Sequence, residues 1–411
     1  MKKFILFIIA SLSAINGSFG QTDDKVKVEL SGFISAKFFY DTREGISSRN
    51  GDFLFYPAPE IIDDNGNDLN DVSKFHFNTL HSRLRVKTTS FSLWGGSLSS
   101  YLEADFYGIS QGDIGQFRIR HAYLDYKRNK SNLIVGQYWH PMFVTSCYPT
   151  TSLISLGTPG GVLSRNPQIR YTYHFTKDIK ASITALSQLN FKSDGPQGAS
   201  ADYISNSGIP EFNLHIEAKP LSQWTIGAVG GTKKLVPRTV NDENNKVDES
   251  IQSYHLAVYS AVKTSKMEYK LQGIYAENGN NMRLLGGYAV SGINQAKGEY
   301  NYTPIASLSS WGEIVSHYPS LVNFGLFAAY SKNLGASEEV IAENGVYTRG
   351  KDINQLFKVA PRISLQHKTF KIIAEITQIY ADYGTPNVKM KVKDTNRVGL
   401  TRFQLHVLYN F

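Results

Sequence analysis

The last ten residues, Arg402 to Phe411, set the narrowest limit on what this chain can fold into. Phe403, Leu405, Val407, Tyr409 and Phe411 take every odd position, while Arg402, Gln404, His406 and Asn410 fall on the other side; Leu408 alone breaks the alternation. A period of two with one apolar and one polar face is a β-strand wetted on one side. A soluble sheet accounts for that much. A strand that ends on an aromatic residue, with another aromatic two places earlier, fits the closing strand of an outer-membrane barrel, where the apolar face meets lipid and Phe411 joins an aromatic girdle.

The same alternation recurs along the chain. From Val26 to Tyr40 the even positions Val26, Val28, Leu30, Ile34, Ala36 and Phe38 oppose Lys27, Glu29, Ser31, Ser35 and Lys37. It restarts with Leu80, Ser82, Leu84 and Val86 against His81, Arg83, Arg85 and Lys87, turns near Ser90-Phe91, and returns with Leu98, Leu102, Ala104 and Phe106 against Ser99, Tyr101, Glu103 and Asp105. Further strands are predicted near 116–127, 131–139, 167–176, 178–188, 210–219, 223–234, 251–263, 266–277, 304–317, 321–332, 354–367, 370–382 and 397–411. Two are less clean. The phase slips after His121, which a β-bulge or packing against a neighbouring subunit would reconcile, and 304–317 rests on Ile305, Trp311 and Ile314.

That makes an all-β chain of sixteen strands whose connections alternate strictly between long and short. Long segments fall near 41–74, 109–115, 140–166, 189–209, 235–250, 278–303, 333–353 and 383–396; short turns include 127–130, 176–177, 219–222, 263–265 and 367–369. A bacterial outer-membrane β-barrel has an even strand number, longer extracellular loops and short periplasmic turns. A β-sandwich or jelly roll also has many alternating strands, but its connections need not sort by length.

The first residues fix the compartment. Lys2 and Lys3, the uncharged run 4–10 and the small residues up to Ser18-Phe19-Gly20 form a signal peptide, residues 1–20, with Gln21 as the expected mature N-terminus. The remainder, 21–411, shows no linker or composition shift and is expected to be a single barrel domain. It contains no run of about 18 apolar residues, but a barrel escapes that test because half of each strand faces water. Aromatic residues at 12% suit interface belts, and one cysteine, Cys147, rules out a disulfide framework. Losing the signal leaves a charge near +6 with acids spread throughout; without a basic cluster or a recognisable module, nucleic acid is not an expected partner. No nucleophile, base and orienter can be assembled into a catalytic set, and no cofactor is implied. His76, His81, His121 and His140 lack a metal-ligand spacing; Asp63, Asp64, Asp68 and Asp71 offer hard oxygens for Ca²⁺ but not the EF-hand glycine position, so a solvated loop is the expectation.

The inward faces carry the functional signal. Arg83, Arg85, Arg118, Arg120 and Arg170 oppose apolar residues on the early strands. On the lipid face each would cost about 2–4 kcal/mol near the midplane, so the phase turns them inward. Guanidinium groups attract anions and offer forked contacts to carboxylate or phosphate. Glu103 and Asp105 face the same lumen, with His81 beside the arginines, and a purely structural pairing of these charges is the competing reading. The segment 140–166 is unlike the other loops: apolar and hydroxyl-rich, without Asp or Glu, and with Arg165 its one firm charge. Folded into the barrel, it would narrow the bore; left outside, it would serve as a lid or a partner contact.

Ser82-Arg83-Leu84-Arg85, Phe117-Arg118-Ile119-Arg120-His121-Ala122-Tyr123, Gly136-Gln137-Tyr138-Trp139 and Pro167-Gln168-Ile169-Arg170-Tyr171 resemble the corresponding blocks of the DcaP-like trimeric porins, over roughly residues 30–175. The resemblance implies a sixteen-stranded homotrimer with a third loop constricting each pore, anion-preferring uptake of small solutes such as dicarboxylates, and a constriction role for Arg83, Arg85, Arg118, Arg120 and Arg170. It also implies that barrel-assembly machinery reads the closing strand through Phe411. The departure is the third loop: many porins place acids there opposite a basic wall, and this loop has none. The expectation is a passive, water-filled, anion-preferring channel in the outer membrane of a double-membraned bacterium, with membrane lipid and small anions as partners. A surface-display or adhesion barrel acting through loops such as 41–74 and 278–303 is the rival.

Overall fold

A barrel closes only if its first and last strands pair. In the computed structural model, which describes residues 26–89, 91–318 and 321–411, they do: Val28–Asp41 runs antiparallel to Val392–Asn410, with Phe33 opposite Asn410 and Asp41 opposite Arg402. Gly32 and Phe411 exchange backbone hydrogen bonds at 3.0 and 3.1 Å beyond that register. A Cβ at position 32 would run into the Phe411 ring and the Arg83 carbonyl, so a glycine is what lets the terminal ring lie against the seam. The expected signal peptide, residues 1–20, and Ser90 of the second turn lie outside the described residues.

The main sheet has twenty segments among the described residues, all paired antiparallel. Lys74–Asn78, Arg83–Thr88 and Phe91–Leu93 are one interrupted strand, and Gly286–Asn294 and Val346–Arg349 lie in the loops above the wall. The wall is thus a closed barrel of sixteen strands, as the alternation predicts. The least regular prediction, 304–317, is the lower part of Glu299–Ser316, whose first residues pair with Gly286–Asn294 in a hairpin that leaves the wall. The phase slip near His121 is a β-bulge: Glu103 faces His121 while Ala104 faces Ile119, leaving Arg120 as the extra residue. The alternation also reads the faces correctly, because Phe403, Leu405, Tyr409 and Phe411 are exposed on the outside while Arg402, Gln404 and His406 are buried inside.

The main apolar cluster lies within the bore. Loop segments meet inward-facing wall residues there: Met142, Phe143 and Ile154 from the third long loop, Leu284 and Leu285 from a later one, and Ala257, Trp311, Phe327 and Leu400 from the wall. The first long loop contributes as well. Gly45–Ser48 and Phe53–Pro57 form a hairpin whose second strand is buried along its whole length. Asp52 anchors its tip: Lys37 Nζ lies 3.0 Å from Oδ1, and the Tyr107 hydroxyl donates to Oδ2. Arg402 donates to the Gly51 carbonyl at 2.8 Å. The segment 41–74, read from sequence as a polar loop, therefore has half of its length inside the barrel, and the uncharged run Phe53-Leu54-Phe55-Tyr56 is the sign of it.

Candidate permeation pathway

Antiparallel pairing places the charges of the early strands side by side. Gly96–Asp105 carries Glu103 and Asp105 between two arginine-bearing strands; Arg83 is opposite Asp105 and Arg85 opposite Glu103 on one side, and Asp105 is opposite Arg118 on the other. Directly opposed residues are close enough to pair; Arg85 with Glu103 and Arg118 with Asp105 do so, while Arg83 turns to Glu103 instead. Arg85 Nε reaches Glu103 at 2.8 Å, Arg120 Nε reaches the other Glu103 oxygen at 2.6 Å, and Arg83 stands 3.6 Å from it. Arg118 holds Asp105 with two bonds of 2.6 and 3.1 Å, and Arg120 adds a third at 3.3 Å. Four guanidiniums share two carboxylates, so the ladder keeps two uncompensated positive charges.

The other expected residues divide. His81 lies 3.0 Å from the Arg83 guanidinium through Nε2, in the same cluster. Arg165 stacks 5.1 Å from both Trp139 and Phe191 and its Nε has no hydrogen-bond partner. Arg170 stands apart: it bonds Gln168 at 3.1 Å and the Trp139 carbonyl at 2.6 Å, lies over Tyr138, and lines neither of the two lumen cavities.

One cavity, of about 420 Å³, has His81, Arg83, Arg120 and Arg165 on one side and Phe143, Leu153, Ile154, Leu156 and Leu163 of the third loop on the other. A second, of about 340 Å³, lies toward the long loops and is lined by Arg49, Arg118, Arg283 and Arg349 with Phe53, Phe55 and Phe191. Phe53 borders both, and Arg118 and Arg120 are two residues apart on one strand. The lumen is therefore lopsided, basic on the early strands and apolar across from them.

The third loop lies inside, as one of its two readings expects, and the far wall holds it there. Glu313 accepts from the Thr150 backbone N–H at 2.9 Å and from its hydroxyl at 3.0 Å, and pairs with Lys270 at 3.1 Å and Arg362 at 2.8 Å. Glu375 accepts from the Ser152 N–H at 2.8 Å, and Lys358 donates to the Thr158 carbonyl at 2.7 Å. Glu217 accepts from Ser146, and Glu211 from His140 at 2.6 Å. A loop without acids is fastened by four acids of the wall. They are buried beneath it, away from the basic side. Sequence reading missed them because a lone inward acid looks the same whether it meets water or a loop; Arg49, Arg283 and Arg349 were missed because loop residues have no periodic face.

His140, Glu211 and His255 lie close enough to share a metal ion. Their hydrogen bonds argue otherwise. The Met142 N–H donates to His140 Nδ1 at 3.1 Å, so Nε2 carries the proton given to Glu211, whereas a ligating imidazole donates its second nitrogen outward. His255 Nε2 is likewise engaged, 2.7 Å from Asn213 Oδ1. In the first loop, Asp63 accepts from the Asn65 and Asn67 amides at 2.9 and 2.8 Å, and those bonds hold its carboxyl below the usual range. Asp68 pairs with Arg43 at 2.9 Å. These acids organise turns.

No family model and no curated protein matches the chain. Solved structures do. The outer membrane channel DcaP of Acinetobacter baumannii superposes with a TM-score of 0.70 at 16% identity, over 96% of this chain and 100% of that one. The OmpT outer membrane protein of Vibrio cholerae, in a trimer form, gives 0.56 at 10% identity over 94% and 100%. An anion-selective porin from Comamonas acidovorans gives 0.54 at 10% identity over 94% and 100%. The chain has the fold of the sixteen-stranded outer-membrane porins. At these identities the likeness fixes the barrel fold alone.

Proposed function

We propose that this protein is an outer-membrane porin that passes small anions, carboxylates among them, by passive diffusion. The observation that carries the reading is the charge balance of the ladder: Arg83, Arg85, Arg118 and Arg120 outnumber Glu103 and Asp105 beside a cavity whose opposite side brings no acid. In a narrow path flanked by low-dielectric protein, fixed charges of one sign concentrate counter-ions. Two of the similar structures are described as an outer membrane channel and an anion-selective porin, in keeping with this reading. The expected setting is the outer membrane after signal cleavage, as a homotrimer in lipid.

Purified protein in planar bilayers tests it. Stepwise conductance with a reversal potential of anion-selective sign is expected in a salt gradient. Replacing Arg83, Arg85, Arg118 and Arg120 by glutamine leaves Glu103 and Asp105 uncompensated, so the ladder changes from net positive to net negative and the reversal potential should shift toward a lower anion/cation permeability ratio. A closed membrane would favour a surface-display barrel, and an unchanged reversal potential would remove the arginines from selectivity.

A further inference from the structure

The cavity on the long-loop side has a composition that diffusion alone does not require. Its four arginines come from separate parts of the chain: Arg49 from the tip of the first-loop hairpin, Arg118 from the wall, Arg283 and Arg349 from two later loops. No acid lines it. Arg118 is bound to Asp105, but Arg49, Arg283 and Arg349 form no ion pair among the described residues. Asp194 is an opposing influence on Arg283, yet it is hydrogen-bonded to Asn280 at 3.0 Å and makes no ion pair.

Protein contacts hold these groups in place without neutralising them. The Arg49 guanidinium donates to the Ile109 carbonyl and its backbone N–H to Gln111. Arg283 lies 5.1 Å from the Phe191 ring, and Arg349 lies 4.9 Å from the Phe55 ring with a buried, unpartnered Nε. Aromatic faces position a guanidinium and leave its forked edge free. Burial, and then repulsion from Arg349, push Arg283 down to about 9, with Arg49 and Arg118 adding to the effect. A cluster of like charges held this way is stabilised by an anion that meets several forks at once.

Charge and shape narrow the anion. A carboxylate brings one charge and two oxygens. A terminal phosphate brings about −1.5 to −2 charges and three acceptor oxygens, which suits three unpaired guanidiniums approaching from different directions. A volume of about 340 Å³ falls in the range of small-solute sites, and Phe53, Phe55 and Phe191 offer apolar surface to the body of an ester. We infer that Arg49, Arg283 and Arg349 form a capture site for a tetrahedral dianionic head group, a small phosphate monoester or a free phosphate or sulfate ion, upstream of the ladder. The inference deepens the channel reading and rests on it.

The test uses the full-length protein in planar bilayers carrying potassium chloride, with inorganic phosphate, glucose 6-phosphate, sulfate or acetate added on the long-loop side at neutral pH. Phosphate and glucose 6-phosphate should reduce the chloride current saturably, and acetate at the same concentration should do so at least tenfold more weakly. Arg283→Gln and Arg349→Gln should each weaken the phosphate effect by about tenfold, and Arg349→Lys, which keeps the charge but loses the fork, should restore only part of it. Their potassium chloride conductance shows that the variants are folded. A sulfate effect equal to that of phosphate supports recognition of the tetrahedral dianion; a weaker one narrows the class to phosphates. Equal effects of acetate and phosphate, or an unchanged phosphate effect in both glutamine variants, would overturn the site. A reversal potential that still shifts toward cations in the ladder variant would show that the capture site alone had failed.

Discussion

At Glu313 one buried carboxylate serves two elements at once. It receives the Thr150 N–H and hydroxyl from the loop, Lys270 from the adjacent strand on one side, and Arg362 from the second strand over on the other. Glutamine at this position keeps the shape but turns an NH₂ toward donors and removes the charge that two cations share. Breaking one side of a buried charge network typically costs about 3–5 kcal/mol because the other charges stay buried and unpaired. Glu313→Gln should therefore lower unfolding stability by about that much and loosen the loop, seen as a lower denaturation midpoint together with greater open-channel noise. A quiet channel of unchanged stability would mean that the apolar contacts of Phe143 and Ile154 hold the loop unaided. The arginine ladder could be read in advance because sequence spacing fixes a residue's face and strand pairing fixes its neighbours. Glu313 could not, since its partners lie 163 residues away at Thr150 and 49 at Arg362.

The first and third long loops both enter the bore, and their chemistry separates their roles. The third loop carries an apolar surface and lies against the far wall; the first-loop hairpin carries Arg49 at its tip and is fixed by Asp52 to Lys37. Removing about ten residues within 145–160 should raise single-channel conductance with little change in anion preference, because the ladder stays in place. Conductance that barely moves would place the narrow point elsewhere. Strands were legible element by element from the period of two. The third loop could be read because its composition is wrong for a segment in water. The first-loop hairpin was not, because its four-residue apolar run, Phe53 to Tyr56, sits among Asp, Asn, Gly and Pro that read as solvated loop. Tertiary packing decided that case, and a short apolar run carries no record of what it will pack against.

The seam is where the whole molecule depends on its last residue. Sixteen strands become a barrel only when the end of the chain finds its beginning, because an open barrel leaves two edges of unpaired N–H and C=O groups in lipid. The register from Phe33–Asn410 to Asp41–Arg402 carries most of that closure. Phe411 adds the paired bonds with Gly32 and an exposed ring at the rim, resting where residue 32 has no side chain. Its ring is outside, so it lines neither lumen cavity. Removing Phe411 should therefore reduce the fraction of chains that reach the folded, heat-modifiable form in cell envelopes, while those that do fold keep wild-type single-channel conductance. Gly32→Ala attacks the same contact from the other strand and should give the same pattern. Both variants can be compared by the mobility of unheated and heated samples and then by conductance. If either assembles normally, or conducts differently once assembled, closure does not rest on this contact, and the aromatic end of the chain must be explained by its lipid surroundings alone.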